Sequence, residues 1–213
     1  MKAVYHFIVS VPKKFEDTLK LGDKEIFLEN KFNEFEHRIS YGEIIATPMK
    51  HPELECKPGD TLIFPHHVTT NPALNLGDKR HLVLYDPENG RMSQAIAYRD
   101  KDSDELHMLS DWLFVLPVDE REDEVSESGI IMELATQKEL ADEAEVYMPH
   151  PELEAQGVKP GDIIGFDKNS DYKIKLDNGD VVYRMRVDDI SYAKIHDSEG
   201  SEKSYVFYGA GHR

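Results

Sequence analysis

The sequence is short of the residues that cross-link a chain, carry it through a membrane or bind it to phosphate. Cys56 is its single cysteine, so an intramolecular disulfide framework and a cysteine-rich zinc site are both excluded. No apolar run approaches the ~18 residues that a membrane helix needs, which excludes a chain spanning by helices. Positive charge is scarce: 25 Lys and Arg stand against 42 Asp and Glu, a formal net charge of −17. A surface this acidic repels phosphate backbones, so nucleic acid is not an expected partner. The chain lacks a Gly-rich phosphate loop, a Gly-x-Ser-x-Gly elbow and a His-Glu-x-x-His helix, so neither a catalytic role nor a cofactor is expected. Met1 leads at once into Lys2–Pro12, which alternates like a strand rather than a leader peptide.

What is present suffices for a core. Hydrophobic residues make up 39% of 213, room for one large domain or two small ones. The acid excess is uneven. Residues 1–108 hold 14 basic and 18 acidic residues, and residues 109–213 hold 11 and 24. Between Asp119 and Glu145 there are 11 acids against Arg121 and Lys138 alone. This stretch reads either as a solvated face or as a self-repelling mobile loop that orders on binding.

A repeat organises the chain. His51-Pro52-Glu53-Leu54-Glu55 returns as His150-Pro151-Glu152-Leu153-Glu154, 99 residues on. Lys57-Pro58-Gly59-Asp60 returns as Lys159-Pro160-Gly161-Asp162, 102 residues on, so the second copy has three more residues between the blocks. Upstream, Glu43-Ile44-Ile45 corresponds to Glu145-Val146-Tyr147. A period near one hundred is too long for a solenoid and fits two tandem small domains.

The local signals are those of strands. Val4–Val11 ends at Pro12, and Trp112–Leu116 ends at Pro117. Asp60–Phe64, Arg80–Tyr85, Arg91–Arg99, Asp162–Phe166, Asp180–Val187 and Ser204–Tyr208 are further predicted strands. Lys-Pro-Gly-Asp is a turn, because Pro presets φ and Gly permits positive φ. Asp177-Asn178-Gly179-Asp180 is the strongest hairpin signal. Helical patterning is confined to a turn or two over Lys138–Glu145. The expected fold class is all-β, as small barrels or sandwiches.

The second half resembles the GroES-type co-chaperonins along nearly its whole length. Leu106–Pro117 is similar to the family's opening strand. Ser128-Gly129-Ile130-Ile131-Met132 stands where the family's mobile loop bears an apolar patch. Glu145-Val146 resembles the strand after the loop, with Ala144 where Gly is usual. Val158–Ile164 is similar to the block that follows, and Val181–Ile195 to the closing strands. The first half is a more diverged copy, matched best at Gly42-Glu43-Ile44-Ile45 and Lys57–Phe64. There Ile26-Phe27-Leu28 is the counterpart of the patch, although Phe32, Phe35 and Ile39 could equally make the stretch an ordered strand or helix. Little room remains between Glu145 and Lys159 for the family's roof hairpin, which resembles the roofless co-chaperonins of some bacteriophages. The tail Asp197–Arg213 has no family counterpart. Medium-chain alcohol dehydrogenases share the fold but would need a dinucleotide domain and zinc-ligand cysteines, and neither is present.

The resemblance implies two tandem GroES-like small β-barrels with mobile loops, residues 1–107 and 108–213. It implies a co-chaperonin that caps a GroEL-type chaperonin ring and encloses an unfolded client, with ATP hydrolysis left to the ring. Gly129, Ile130, Ile131 and Met132, with Ile26, Phe27 and Leu28, are then the chaperonin contacts, and the chain forms a homo-oligomeric ring in the cytoplasm (a host's, if the chain is viral). The alternative is a structural or interaction protein, for example in viral assembly, that reuses the fold. Ile130–Met132 also reads as a plain core strand. Ten histidines raise the question of a metal. His66-His67 and His81 lie near Asp60 and Asp78 in one repeat, but neighbours on a strand point to opposite faces, so no metal site is expected. His51 and His150 precede prolines and read as turn residues.

Overall fold

Alternation along the strands decides which side faces the core. In Arg80–Leu84, His81 and Val83 are buried while their neighbours are half-exposed; in Tyr41–Ala46, Gly42 and Ile44 are buried and Glu43 and Ile45 exposed. A computed structural model describes residues 2–12, 18–21, 24–27, 38–90, 92–119, 139–166, 171–196 and 202–206. The fold is mostly β, with two antiparallel seven-stranded sheets.

The chain divides into two compact units, Met1–Trp112 with Ile174–Val181, and Leu113–Lys173 with Val182–Arg213. The first sheet is built from β1 (His6–Ser10), β4 (Tyr41–Ala46), β5 (Thr61–Ile63), β6 (Asn75–Gly77), β7 (Arg80–Leu84), β8 (Ala97–Arg99) and β9 (Leu106–Met108). A separate hairpin, β2 (Thr18–Leu21) and β3 (Lys24–Phe27), lies between β1 and β4 in the chain. The second sheet is built from β10 (Trp112–Asp119), β11 (Glu139–Met148), β12 (Ile163–Phe166), β13 (Tyr172–Lys175), β14 (Val181–Arg186), β15 (Ile190–His196) and β16 (Glu202–Val206). The helices are short: α1 (His67–Thr70) and α2 (Pro151–Ala155).

The two sheets share one topology. Their spatial orders are β6-β7-β1-β4-β5-β8-β9 and β13-β14-β10-β11-β12-β15-β16. Ranked by order along the chain, with the β2–β3 hairpin set aside, both read 4-5-1-2-3-6-7. The sequence repeat is therefore a duplicated fold. Neither sheet closes on itself: the first ends at β6 and β9, the second at β13 and β16.

Each sheet has its own core. Phe7, Val9, Ile44, Leu62, Phe64, Val68 and Val83 cluster in the first unit; Leu113, Val115, Val146, Leu153, Val158, Ile164 and Met185 cluster in the second. At ~1.5–3 kcal/mol per fully buried large apolar side chain, these clusters are the main favourable contribution to folding.

The Lys-Pro-Gly-Asp turns are built alike. Gly59 and Gly161 have φ of 101° and 93°, the left-handed region that a side chain disfavours. Gly59 N–H donates to Ile44 O at 2.8 Å, and Ile44 N–H donates to Asp60 O at 2.7 Å. In the second copy Gly161 N–H donates to Val146 O and Val146 N–H to Asp162 O, both at 2.8 Å. The buried carboxylates of Asp60 and Asp162 each accept the backbone N–H of the turn's lysine, at 2.7 and 2.8 Å. An Asp inside the turn thus satisfies a donor that the chain reversal would leave unpaired.

Four local expectations are corrected. The turn or two of helix expected over Lys138–Glu145 is, from Glu139 on, strand β11, because pairing with β10 and β12 supplies ladder partners that outweigh a helix propensity too short to nucleate; Lys138 lies outside the described residues. His66 and His67 are not on a strand: His66 is the N-cap residue of α1. Of the strand expected over Arg91–Arg99, the described residues 92–99 are strand only over Ala97–Arg99, because Gln94 and Ala95 both donate to Leu84 O and break the alternation. The two His-Pro-Glu-Leu-Glu blocks differ. The first is a turn, whereas the second is α2, capped by His150 Nδ1, which accepts Glu152 N–H at 3.2 Å. The three additional residues of the second copy complete that helix and its exit through Gly157, whose φ is 97°.

Candidate functional site

In both sheets the first and second strands are neighbours in space but are separated in sequence by a long insertion. Between β1 and β4 that insertion carries the β2–β3 hairpin; between β10 and β11 it is residues 120–138. The duplicated fold therefore places both candidate docking segments in the same topological slot. Ile26 and Phe27 lie on β3, where Ile26 pairs with Leu19 and Phe27 with Thr18. Leu28, Gly129, Ile130, Ile131 and Met132 lie outside the described residues.

The strand returning from each slot is held at its root. In the first unit, Tyr41, Gly42 and Glu43 of β4 pair with Ile63, Leu62 and Thr61, and a Cβ on Gly42 would press on Ser10 O. In the second, Glu143, Ala144 and Glu145 of β11 pair with Gly165, Ile164 and Ile163. Glu143 accepts hydrogen bonds from the Tyr192 hydroxyl and, at 2.6 Å, from Lys194 Nζ. The Lys194 ammonium and the Tyr192 hydroxyl hold the Glu143 carboxyl below the usual carboxylate range. Spacing along the chain gave no sign of this cluster, because its carboxylate and its tyrosine are 49 residues apart.

A second charged cluster closes the loop after β8. Asp100 accepts the N–H groups of Asp102 and Ser103 at 2.7 and 3.0 Å, and these hold its carboxyl below the ordinary range. Lys57 Nζ lies 2.7 Å from Asp102 and 3.6 Å from Asp100, and both raise the lysine. Asp60 reaches the same loop, accepting Lys101 N–H at 3.1 Å. Asp60 and Asp100 fix turns by accepting backbone N–H groups, and Asp102 pairs with the Lys57 ammonium.

The histidines go to separate places. His81 is only 2% exposed on the core side of β7, and neither ring nitrogen has a hydrogen-bond partner among the described residues. His51 Nδ1 lies 2.9 Å from Glu53, its ring edge-on to Tyr85; His107 stacks on Tyr98 at 4.8 Å. Among the described residues, no three His, Cys, Asp or Glu side chains come together as metal ligands. No described helix is long and apolar enough to cross a membrane. Cys56 is buried, and burial pushes its thiol up to about 12.

Comparison of the chain with protein-family models, with curated proteins and with solved structures returned no match.

Proposed function

We propose that this chain is a co-chaperonin of two tandem GroES-like domains, residues 1–107 and 108–213, each a small barrel-like β-domain. It caps a GroEL-type chaperonin ring and assists ATP-dependent folding of an enclosed client. The observation that carries the reading is the duplicated sheet order with an insertion in the same slot of each copy. In the second copy that insertion holds Gly129-Ile130-Ile131-Met132 behind a strongly acidic lead-in. In the first it holds Ile26-Phe27-Leu28.

The energetics require several docking segments. Burying three side chains such as Ile130, Ile131 and Met132 contributes roughly 1.5–3 kcal/mol each. Ordering each residue of a mobile segment costs ~1–2 kcal/mol. One segment comes out near break-even, so useful affinity needs an oligomer in which later contacts gain from effective concentration. A homo-oligomeric ring in the cytoplasm, of a host cell if the chain is viral, meets that need.

The test is association of the purified chain with a GroEL-type ring, with and without adenine nucleotide. Nucleotide-dependent binding that Ile131→Asp abolishes, with fold and oligomer intact, supports the reading; binding by the variant overturns the contact assignment. A second reading draws on the edge strands β6, β9, β13 and β16, which have no further strand beside them among the described residues. Unpaired strand edges are templates for another chain, which suits a structural protein of an assembly. Self-association without any ring binding would favour that reading.

A further inference from the structure

At Glu143, β11 passes from three-stranded sheet to an irregular two-stranded edge. Glu145 and Ala144 are paired on both sides, with β12 and with β10, whereas Glu143 is paired with β12 alone. Glu143 is the last residue whose partner lies on β12. Toward the start of β11, pairing with β10 resumes only at Asp119↔Glu139, across an irregularity that sets five residue steps on β11 against two on β10. Pro117, opposite Ala144, has no N–H to give the ladder. The backbone alone therefore holds β11 weakly here, because a two-stranded ribbon is marginally stable by itself.

Side chains hold the same point. Glu143, Gly165 and Tyr192 lie in one cross-strand row over β11, β12 and β15. A Cβ on Gly165 would overlap the Tyr192 ring, so that ring lies over the bare glycine and its hydroxyl reaches Glu143 one strand further on. Lys194, two residues along β15 and on the same side, bonds to Glu143 and sits 5.8 Å from the Tyr192 ring centre. Glu143 is 20% exposed and Lys194 31%, so the pair is partly shielded from water. The first sheet has Tyr41, Ile63 and Ala97 in the matching row, with no such carboxylate.

We propose that Glu143, Tyr192 and Lys194 form a clamp across the glycine gap at Gly165, fixing the register of β11 where it enters the sheet. Glu143 is a positioning residue. Its consequence for docking rests on the function proposed above, whereas the clamp itself does not.

Hydrogen exchange of the full-length chain, followed by mass spectrometry, tests the clamp. Glu143→Gln and Gly165→Ala should each speed exchange of the amides in 139–145 by about tenfold, with β14 and α2 within about twofold of wild type. Lys194→Arg, which keeps the cation, should leave exchange unchanged, and Tyr192→Phe, which keeps the ring and removes only the hydroxyl, should give an intermediate increase. Wild-type exchange at 139–145 in Glu143→Gln, or an equal rise throughout the second sheet, would overturn the proposal. Ring binding measured on the same samples separates the two claims: a wild-type chain that binds no ring sinks the functional reading and leaves the exchange result to decide the clamp.

Discussion

Cys56 occupies in the first unit the place that Val158 occupies in the second. Each immediately precedes a Lys-Pro-Gly-Asp turn, and each is buried in the core cluster of its own unit. The single cysteine is therefore a small core hydrophobe. Cys56→Val keeps the site apolar but adds about one methylene of volume, and should cost no more than ~1–3 kcal/mol. Cys56→Ser buries a hydroxyl and should cost about 1–3 kcal/mol. The native thiol should resist alkylation at neutral pH and react only on unfolding. Because burial raises the folded thiol from 9.0 to about 12, the unfolded chain ionises first as pH rises, and stability should fall above about pH 9. Denaturant titrations of the three proteins, with alkylation followed by mass, check this.

The buried aspartates of the two turns give a second expectation. Asp60 accepts Lys57 N–H with one oxygen and Lys101 N–H with the other. Asp60→Asn keeps one acceptor and turns the other into a donor that faces an N–H. The loss should be about 1–3 kcal/mol, the cost of leaving a buried polar group unsatisfied. Asp60→Ala removes both acceptors and should cost more. Chemical denaturation with an unchanged m-value would tie the loss to the folded state.

What the sequence shows and what it hides divides by distance along the chain. The turns at Lys57–Asp60 and Lys159–Asp162, and the Asn178-Gly179 hairpin between β13 and β14, are legible because one or two residues there decide the backbone. The repeat is legible because the same turn is made twice. The strand order is not, because β1 lies between β4 and β7, and nothing local in Val4–Val11 names either neighbour. His81 falls in the core because β7 puts it on the same side as Val83, a register that depends on pairing with β1. The Glu143 cluster is hidden for the same reason: a glycine at 165 and a tyrosine at 192 meet only once β12 and β15 pair.

Acid should release that cluster in a defined window. The folded Glu143 carboxyl lies below its ordinary value of 4.5, so its contribution to stability is complete above that pH. It is lost as pH falls through the lower folded value. The stability difference between wild type and Glu143→Gln should therefore be constant near neutrality and shrink below about pH 4.5. Paired denaturant titrations between roughly pH 6 and pH 3 measure it; a difference that grows on acidification would reverse the assigned sign.

The last expectation concerns the two insertions. They share a slot but not a composition: the second half holds most of the acid excess, and the first carries the β2–β3 hairpin. Under the proposed function the second insertion dominates ring contact, while the first serves assembly or a second layer. Replacing Ile130-Ile131-Met132 by serine should abolish ring binding, and the same change at Ile26-Phe27-Leu28 should weaken it less. Equal losses would defeat the asymmetry, and the opposite ranking would make the first insertion the main contact. Stability measured beside binding separates a lost contact from a lost fold, because truncating a buried aliphatic side chain costs ~2–5 kcal/mol, whereas removing a docking patch leaves the melting temperature nearly unchanged. A serine variant at Ile26-Phe27-Leu28 that melts early would place those side chains in a core and remove them from the docking surface.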